Sequence, residues 1–257
     1  MKELKISIVG YGKMGHEIEK AAKFKGMTIR SIIDTTDKGA AYHSINDESM
    51  DGVDVCIDFT SPNAVMDNIK KIASFKKNIV VGTTGWHERI DEAKAITKKN
   101  KIGLVYASNF SIGVNVFFKI IGNAAKIINS IGDYDVYGYE LHHNKKADSP
   151  SGTAKTIGEI LIKNIKRKNK LLFEKIDRKI MPNELHFASI RAGSIPGTHV
   201  VGFDSSADTI ELKHTARNRE GFALGALMAT QWINGRKGFY RMEDMIDNWS
   251  EPLKVDK

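Results

Sequence analysis

The feature that most constrains this chain is a short apolar run, Leu4 to Val9. It ends on Gly10-Tyr11-Gly12-Lys13-Met14-Gly15 and passes at once into a helical pattern that reaches Phe24. Strand, tight turn and helix in that order imply a crossover to a second, parallel strand. The next apolar run, Thr28 to Ile33, supplies that strand and stops on Asp34. The alternation then repeats: a strand over Val53 to Phe59, a helix opening at Ser61-Pro62, a strand over Ile79 to Val81, a helix after Gly85, and a strand over Ile102 to Ala107. Five parallel strands with crossover helices predict an α/β fold with a doubly wound parallel sheet.

In such sheets ligands bind where the strands stop. Gly10-x-Gly12-x-x-Gly15 lets backbone N–H groups approach a pyrophosphate at a helix N-terminus. Asp34, nineteen residues beyond Gly15, is placed to accept hydrogen bonds from a ribose. The first domain therefore reads as a Rossmann-type dinucleotide-binding domain. Thr35 and Thr36 follow the acid, with no arginine there to receive a 2′-phosphate, which favours NADH; Lys38 keeps dual use with NADPH open. Two further strand ends, Gly82-Thr83-Thr84 and Ala107-Ser108-Asn109-Phe110, are small and polar enough for backbone contact with the cofactor, with helix capping by Thr or Ser as the lesser alternative.

Beyond residue 112 the pattern changes. Alternation from Tyr134 to His142, and again over Leu185 to Arg191, Thr198 to Asp204 and Thr209 to Thr215, predicts strands. The last three have short connections, which suits a meander and a mixed or antiparallel sheet. This second, α+β domain spans 113–217, and a closing helix over Gly221 to Ile233 sends 218–257 back to the first domain, 1–112. Between its first strand and a helix at Ser151 to Ile165 lies Glu140-Leu-His142-His143-Asn-Lys-Lys146-Ala-Asp148-Ser-Pro-Ser151-Gly152-Thr153. Histidine can give up a proton near neutrality, lysine carries a fixed charge, and a helix start offers N–H groups to an anion. Surface histidines ahead of an ordinary capped helix are the plain alternative. A metal is not expected, because adjacent strand residues such as His142 and His143 point to opposite faces; His186, His199 and His214 are the other imidazoles a metal site would draw on.

The net charge of +8 raises nucleic acid as a partner. Eight basic residues fall between Lys163 and Lys179 against Glu174 and Asp177, which leaves the rest of the chain near +2, and lysine dominates over arginine. That distribution favours a solvated basic segment over a nucleic-acid surface. The lone cysteine, Cys56, lies in an apolar strand and is assigned to packing. No signal segment or spanning helix is read, so a cytoplasmic protein without a membrane partner is expected.

Taken together, Gly10 to Gly15, Asp34, Gly82-Thr-Thr84, Ala107 to Phe110, the Glu140 to Ala154 block and Ile190-Arg-Ala-Gly193 with Gly197-x-His199 resemble the 4-hydroxy-tetrahydrodipicolinate reductase (dihydrodipicolinate reductase) family. The resemblance implies NAD(P)H-dependent reduction of a cyclic dicarboxylate in the diaminopimelate route of lysine biosynthesis. Loss of the substrate's hydroxyl gives a conjugated imine that takes hydride at C4 and a proton on the neighbouring carbon. It assigns His142 as acid–base residue, Lys146 as second proton donor, and Thr84, His143, Lys146, Ser151, Gly152 and Thr153 as substrate contacts. A homotetramer built through the second-domain sheet, with domain closure over the cofactor, is also implied. Ser149 stands where the family commonly has alanine. Two other readings of the fold are a redox-sensing NAD(H)-binding protein without catalysis and a related oxidoreductase acting on an amino acid or semialdehyde.

Overall fold

The structure, a computed structural model, describes residues 3–248. Its first sheet is built on β1 (Lys5–Val9), whose residues from Ile6 to Val9 are all buried, as a central parallel strand requires. β2 (Thr28–Ile33) and β3 (Val55–Asp58) pair with β1 on either side, and β4 (Asn78–Val81) and β5 (Gly103–Tyr106) extend the sheet in parallel. The helices α1 (Lys13–Phe24), α2 (Asp47–Met50), α3 (Val65–Ser74) and α4 (Ile90–Asn100) lie in the connections.

The sheet has six strands, not five. A short strand missed in the sequence, β11 (Gly238–Arg241), adds in parallel beside β5, so the spatial order is β11-β5-β4-β3-β1-β2. It follows α7 (Glu220–Ile233) and precedes α8 (Met242–Asp247), and Asn78 locks this return by donating to the Ile233 carbonyl at 2.7 Å. The described residues divide into two compact units, 3–112 with 219–248 and 113–218. Residues 249–257 of the predicted returning segment lie outside the described residues. Cys56 is fully buried beside Met50, and burial pushes its thiol up to about 12, so it is inert packing.

The second unit packs α5 (Ile112–Asn129) and α6 (Gly152–Asn164) on one face of a five-stranded sheet. The predicted meander is corrected here. β6 (Asp135–His142) lies between β8 (Glu184–Arg191), with which it is parallel, and β9 (Thr198–Asp204), with which it is antiparallel. The order is β10-β9-β6-β8-β7, with β10 (Thr209–Thr215) antiparallel to β9 and β7 (Lys170–Leu172) parallel to β8. Sequence adjacency of β8 and β9 suggested a hairpin. Both edges of β6 are instead taken up in pairing, by β8 and by β9, so it separates the two strands that a hairpin would join.

The basic stretch is also corrected, since part of it is internal. Lys168 is 3% exposed, its ammonium donating to the Glu184 carbonyl at 2.8 Å and pairing with Asp135 at 2.6 Å. Lys170 and Arg178 converge on the Glu184 carboxylate, while Arg167 donates to the carbonyls of Tyr134 and Ile128. These charges fasten β7 and its flanks to β8 and to the start of β6.

Candidate active site

In the first unit the strand ends build a cavity of about 470 Å³. Gly10, Gly12, Asp34, Thr35 and Thr36 line it, together with His43, Ser44, Thr60, Asn68 and Lys71, which sequence reasoning did not single out. Asn68 and Lys71 stand three apart on α3 and so share a face, a pattern visible in the sequence but without a motif to flag it. Gly10 has φ +90° and a Cβ there would lie 2.3 Å from the Phe59 carbonyl oxygen, so no other residue fits. Gly12 caps α1 and faces open space, leaving backbone N–H groups at the helix start accessible to a phosphate. These features fit a dinucleotide.

Asp34 already organises this loop. Its carboxylate accepts from Tyr11 N at 2.8 Å, Thr36 N at 2.9 Å, Asp37 N at 3.0 Å and the Thr36 hydroxyl at 3.1 Å. Burial on its own would raise the acid's pKa, but the backbone donors outweigh it and bring it down to about 2. Three of the four bonds fall on Oδ1, so Oδ2 retains a lone pair for a ribose hydroxyl.

Of the other predicted cofactor contacts, Tyr11, Lys13, Met14 and Gly15 stand at the turn into α1 and its first residues, Gly82 to Thr84 and Ala107 to Phe110 at the ends of β4 and β5, and none of them lines this cavity. Thr84 and Ser108 are exposed. The side chains of Thr83 and Phe110 are engaged within the protein: Thr83 donates to the buried Asp58 at 2.7 Å and accepts from Thr60 N, and the Phe110 ring packs near Phe59 within the core. Tyr11 is likewise buried, its hydroxyl donating to Glu19. What these three residues offer a cofactor is backbone.

In the second unit, Ser189, Glu140, His199 and His214 face one another in register across β8, β6, β9 and β10, and His142 follows two residues after Glu140 on the same face. Glu140 is fully buried. Its Oε1 accepts from Ser151 N, Ser189 Oγ and Arg191 Nη2, each at 2.9 Å, and its Oε2 accepts from Ser151 Oγ and lies 3.3 Å from His199 Nε2. Burial alone would raise this carboxyl; His199, Ser151 and Arg191 outweigh it and hold it well below the usual carboxylate range. Ser151 in turn caps α6 by accepting from Ala154 N at 3.1 Å. One carboxylate thus joins the end of β6 to the start of α6.

Burial lowers the His142 pKa to about 4, with His199, Lys146 and Arg191 adding to the depression and Glu140 opposing it. Without a ligand His142 is therefore a neutral imidazole at pH 7. Lys146 pairs with Asp148 at 2.8 Å, and His143 is half-buried beside it. At the opening turn of α6, which Ser151 caps, Gly152 is exposed and Thr153 half-buried. Glu140, His142 and His199 bring ligand-type atoms within 4.8 Å of one another. Arg191 and Ser151 already occupy the carboxylate, so the cluster reads as a carboxylate–imidazole network and not as a cation cage.

This network should make the second unit acid-labile. His142 binds a proton less well folded than unfolded, so its stabilisation is present above its ordinary value of 6.5 and is lost as pH falls towards 4; Glu140 adds a further loss below its ordinary 4.5. Urea midpoints measured from pH 7.5 down to pH 4 should fall, and His142→Gln should flatten the upper part of that decline.

Residues 4–110 match the family described as dihydrodipicolinate reductase, N-terminus, and residues 113–246 match its C-terminus. The chain belongs to the dihydrodipicolinate reductase family. It is 38% identical over 246 residues to the 4-hydroxy-tetrahydrodipicolinate reductase of Christiangramia forsetii, covering 95% of this chain and 98% of that one. It is 36% identical to the same-named protein of Geobacter sulfurreducens, covering 94% and 98%. Among solved structures, a dipicolinate-bound dihydrodipicolinate reductase from Paenisporosarcina sp. TG-14 superposes with a TM-score of 0.77 at 25% identity, covering 94% of this chain and 99% of that one. For a dihydrodipicolinate reductase-family chain, the Rossmann-type sheet carries the cofactor half of the chemistry and the mixed sheet bears the Glu140 to Thr153 block.

Proposed function

We propose that this protein reduces 4-hydroxy-tetrahydrodipicolinate to tetrahydrodipicolinate with NAD(P)H, in the diaminopimelate route to lysine. The observation that carries the reading is the Glu140 hub, whose carboxylate accepts from Ser151 at the start of α6 and faces the Nδ1 of a proton-carrying side chain, His142, at 3.4 Å. The bound nicotinamide supplies the hydride. His142 supplies the proton to the neighbouring carbon, and a dianionic substrate beside it favours the imidazolium that does so. Lys146 and the N-terminus of α6 hold a carboxylate, Lys146 serves as second proton donor, and His143 and Thr84 complete the substrate contacts. The test is oxidation of cofactor on addition of substrate freshly generated from aspartate semialdehyde and pyruvate. NADH binding by calorimetry without turnover would favour a redox sensor, and turnover only on amino acids or semialdehydes would favour the related oxidoreductase.

Both cofactors are used in this proposal. Asp34 Oδ2 suits the ribose of NADH, while Lys71 in the same cavity lining is a donor for a 2′-phosphate. Assays run in parallel should give turnover with each, and Lys71→Ala should weaken NADPH more than NADH. Turnover with NADH alone would narrow the assignment to that cofactor.

A homotetramer formed through the second-unit sheet is part of the same proposal. The face turned away from α5 and α6 carries Tyr137, Tyr139, Leu141 and Ile190, all partly or largely exposed, a surface suited to sheet-on-sheet packing. Sedimentation should report a tetramer, and Ile190→Lys should reduce its size. Among the described residues no helix is long and apolar enough to cross a membrane. A cytoplasmic location belongs to the proposal, as the family's biosynthetic role requires.

A further inference from the structure

An imidazole has two nitrogens, and which one reacts depends on what each faces. On His142 the two environments differ sharply. Nδ1 is buried and lies 3.4 Å from Glu140 Oε2, and among the described residues no group makes an aligned hydrogen bond to it. Nε2 lies beside the space that a side chain on Gly197 would take. A Cβ at that position would sit 3.0 Å from Nε2 and 3.3 Å from Cδ2, and all three of its nearest neighbours would be His142 atoms. Gly197 also has φ +148°, which disfavours any side chain. The ring is held edge-on against His199, centroids 5.2 Å apart at 74°.

We propose that Glu140 and Gly197 are positioning residues that select the reacting nitrogen of His142, Glu140 by facing Nδ1 and Gly197 by leaving Nε2 uncovered. The inference rests on the reading of His142 as proton donor. Glu140 has the means for this role, because Ser151, Ser189 and Arg191 pin its Oε1 side and leave Oε2 turned towards the two imidazoles. At 3.4 Å the Nδ1 contact is longer than a formed hydrogen bond, and contacts of this kind tighten when substrate binds. Once His142 gains its proton, Nδ1–H faces the carboxylate and Nε2–H is the proton that leaves. The charged or titratable groups facing the ring are Glu140 from β6, Lys146 from the loop after it, Arg191 from β8 and His199 from β9. Of these only Glu140 raises its basicity.

The test is a kinetic double-mutant cycle on the full-length protein. Glu140→Gln should lower kcat on the order of 10- to 100-fold, as loss of an orienting partner does. KM for NADH should hold, and the descending limb of the pH profile should move to lower pH because the carboxylate that favours imidazolium is gone. In a His142→Gln background the same change should cost nothing further, since Glu140 acts through His142. Additive losses, or an unmoved pH profile, would overturn the proposal. If Glu140→Gln does not fold, the cycle is run with Gly197→Ala, which leaves the carboxylate in place and covers Nε2; there too the loss must vanish in the His142→Gln background. Wild-type turnover in His142→Gln alone would instead remove His142 from the reaction, a separate result from failure of the positioning role.

Discussion

Replacing His142 with Gln should lower turnover by about 10²- to 10⁴-fold, the usual contribution of a positioned general acid. The affinity for NADH should remain within about twofold, because the cofactor cavity is lined entirely by residues of the first unit. The size follows from the side chain's surroundings. His142 is 8% exposed and its neighbours include a carboxylate, two cations and a second imidazole, so no water or mobile side chain replaces it cheaply. Glutamine keeps a polar group of similar reach but cannot carry a proton between pH 5 and 8. Steady-state kinetics with calorimetric NADH titration would check both halves. Turnover within threefold of the parent would show that the proton comes from elsewhere, with Lys146 the next group to examine.

The local patterns in the sequence were enough for the first sheet's core and its ligand edge. Strand, glycine turn, helix and acid are near-neighbour signals, and Gly10 and Asp34 stand in the structure where strand-end logic puts them. The parts that were not legible depend on distant partners. β11 is four residues of Gly-Phe-Tyr-Arg, too short to show a period, and is a strand because the edge of β5 is available to pair with it. Lys168 looked like one of a run of solvated charges; Asp135 and the Glu184 carbonyl, 33 and 16 residues away in sequence, are what allow it to be buried. The candidate site shows the same division. His142 and Lys146 are conspicuous by residue type, whereas the burial of Glu140 and its contacts with Ser189, Arg191 and His199 arise only when β8, β6 and β9 come together.

Gly225 is the position at which a one-carbon change should do most damage to the first unit. It sits within α7, where glycine is ordinarily about 1 kcal/mol worse than alanine, so propensity alone would make Gly225→Ala stabilising. Packing reverses the sign. A Cβ there would lie 1.7 Å from the Phe110 carbonyl oxygen and 2.9 Å from its carbon, and backbone cannot swing aside as a flexible side chain can. The helix would have to retreat from the segment that follows β5. Overpacking of this kind costs about 1–3 kcal/mol and more where backbone is forced to move. We expect a loss of at least about 3 kcal/mol, which at roughly 2–4 °C per kcal/mol for a unit of this size lowers Tm on the order of 10 °C. The consequence reaches function through Ala107 to Phe110, whose backbone is the part proposed to meet the cofactor. NADH binding in Gly225→Ala should therefore weaken below the new Tm, while the acid lability assigned to Glu140 and His142 is unchanged. A melting temperature equal to or above that of the parent would mean that helix propensity, and not contact with Phe110, decides this site.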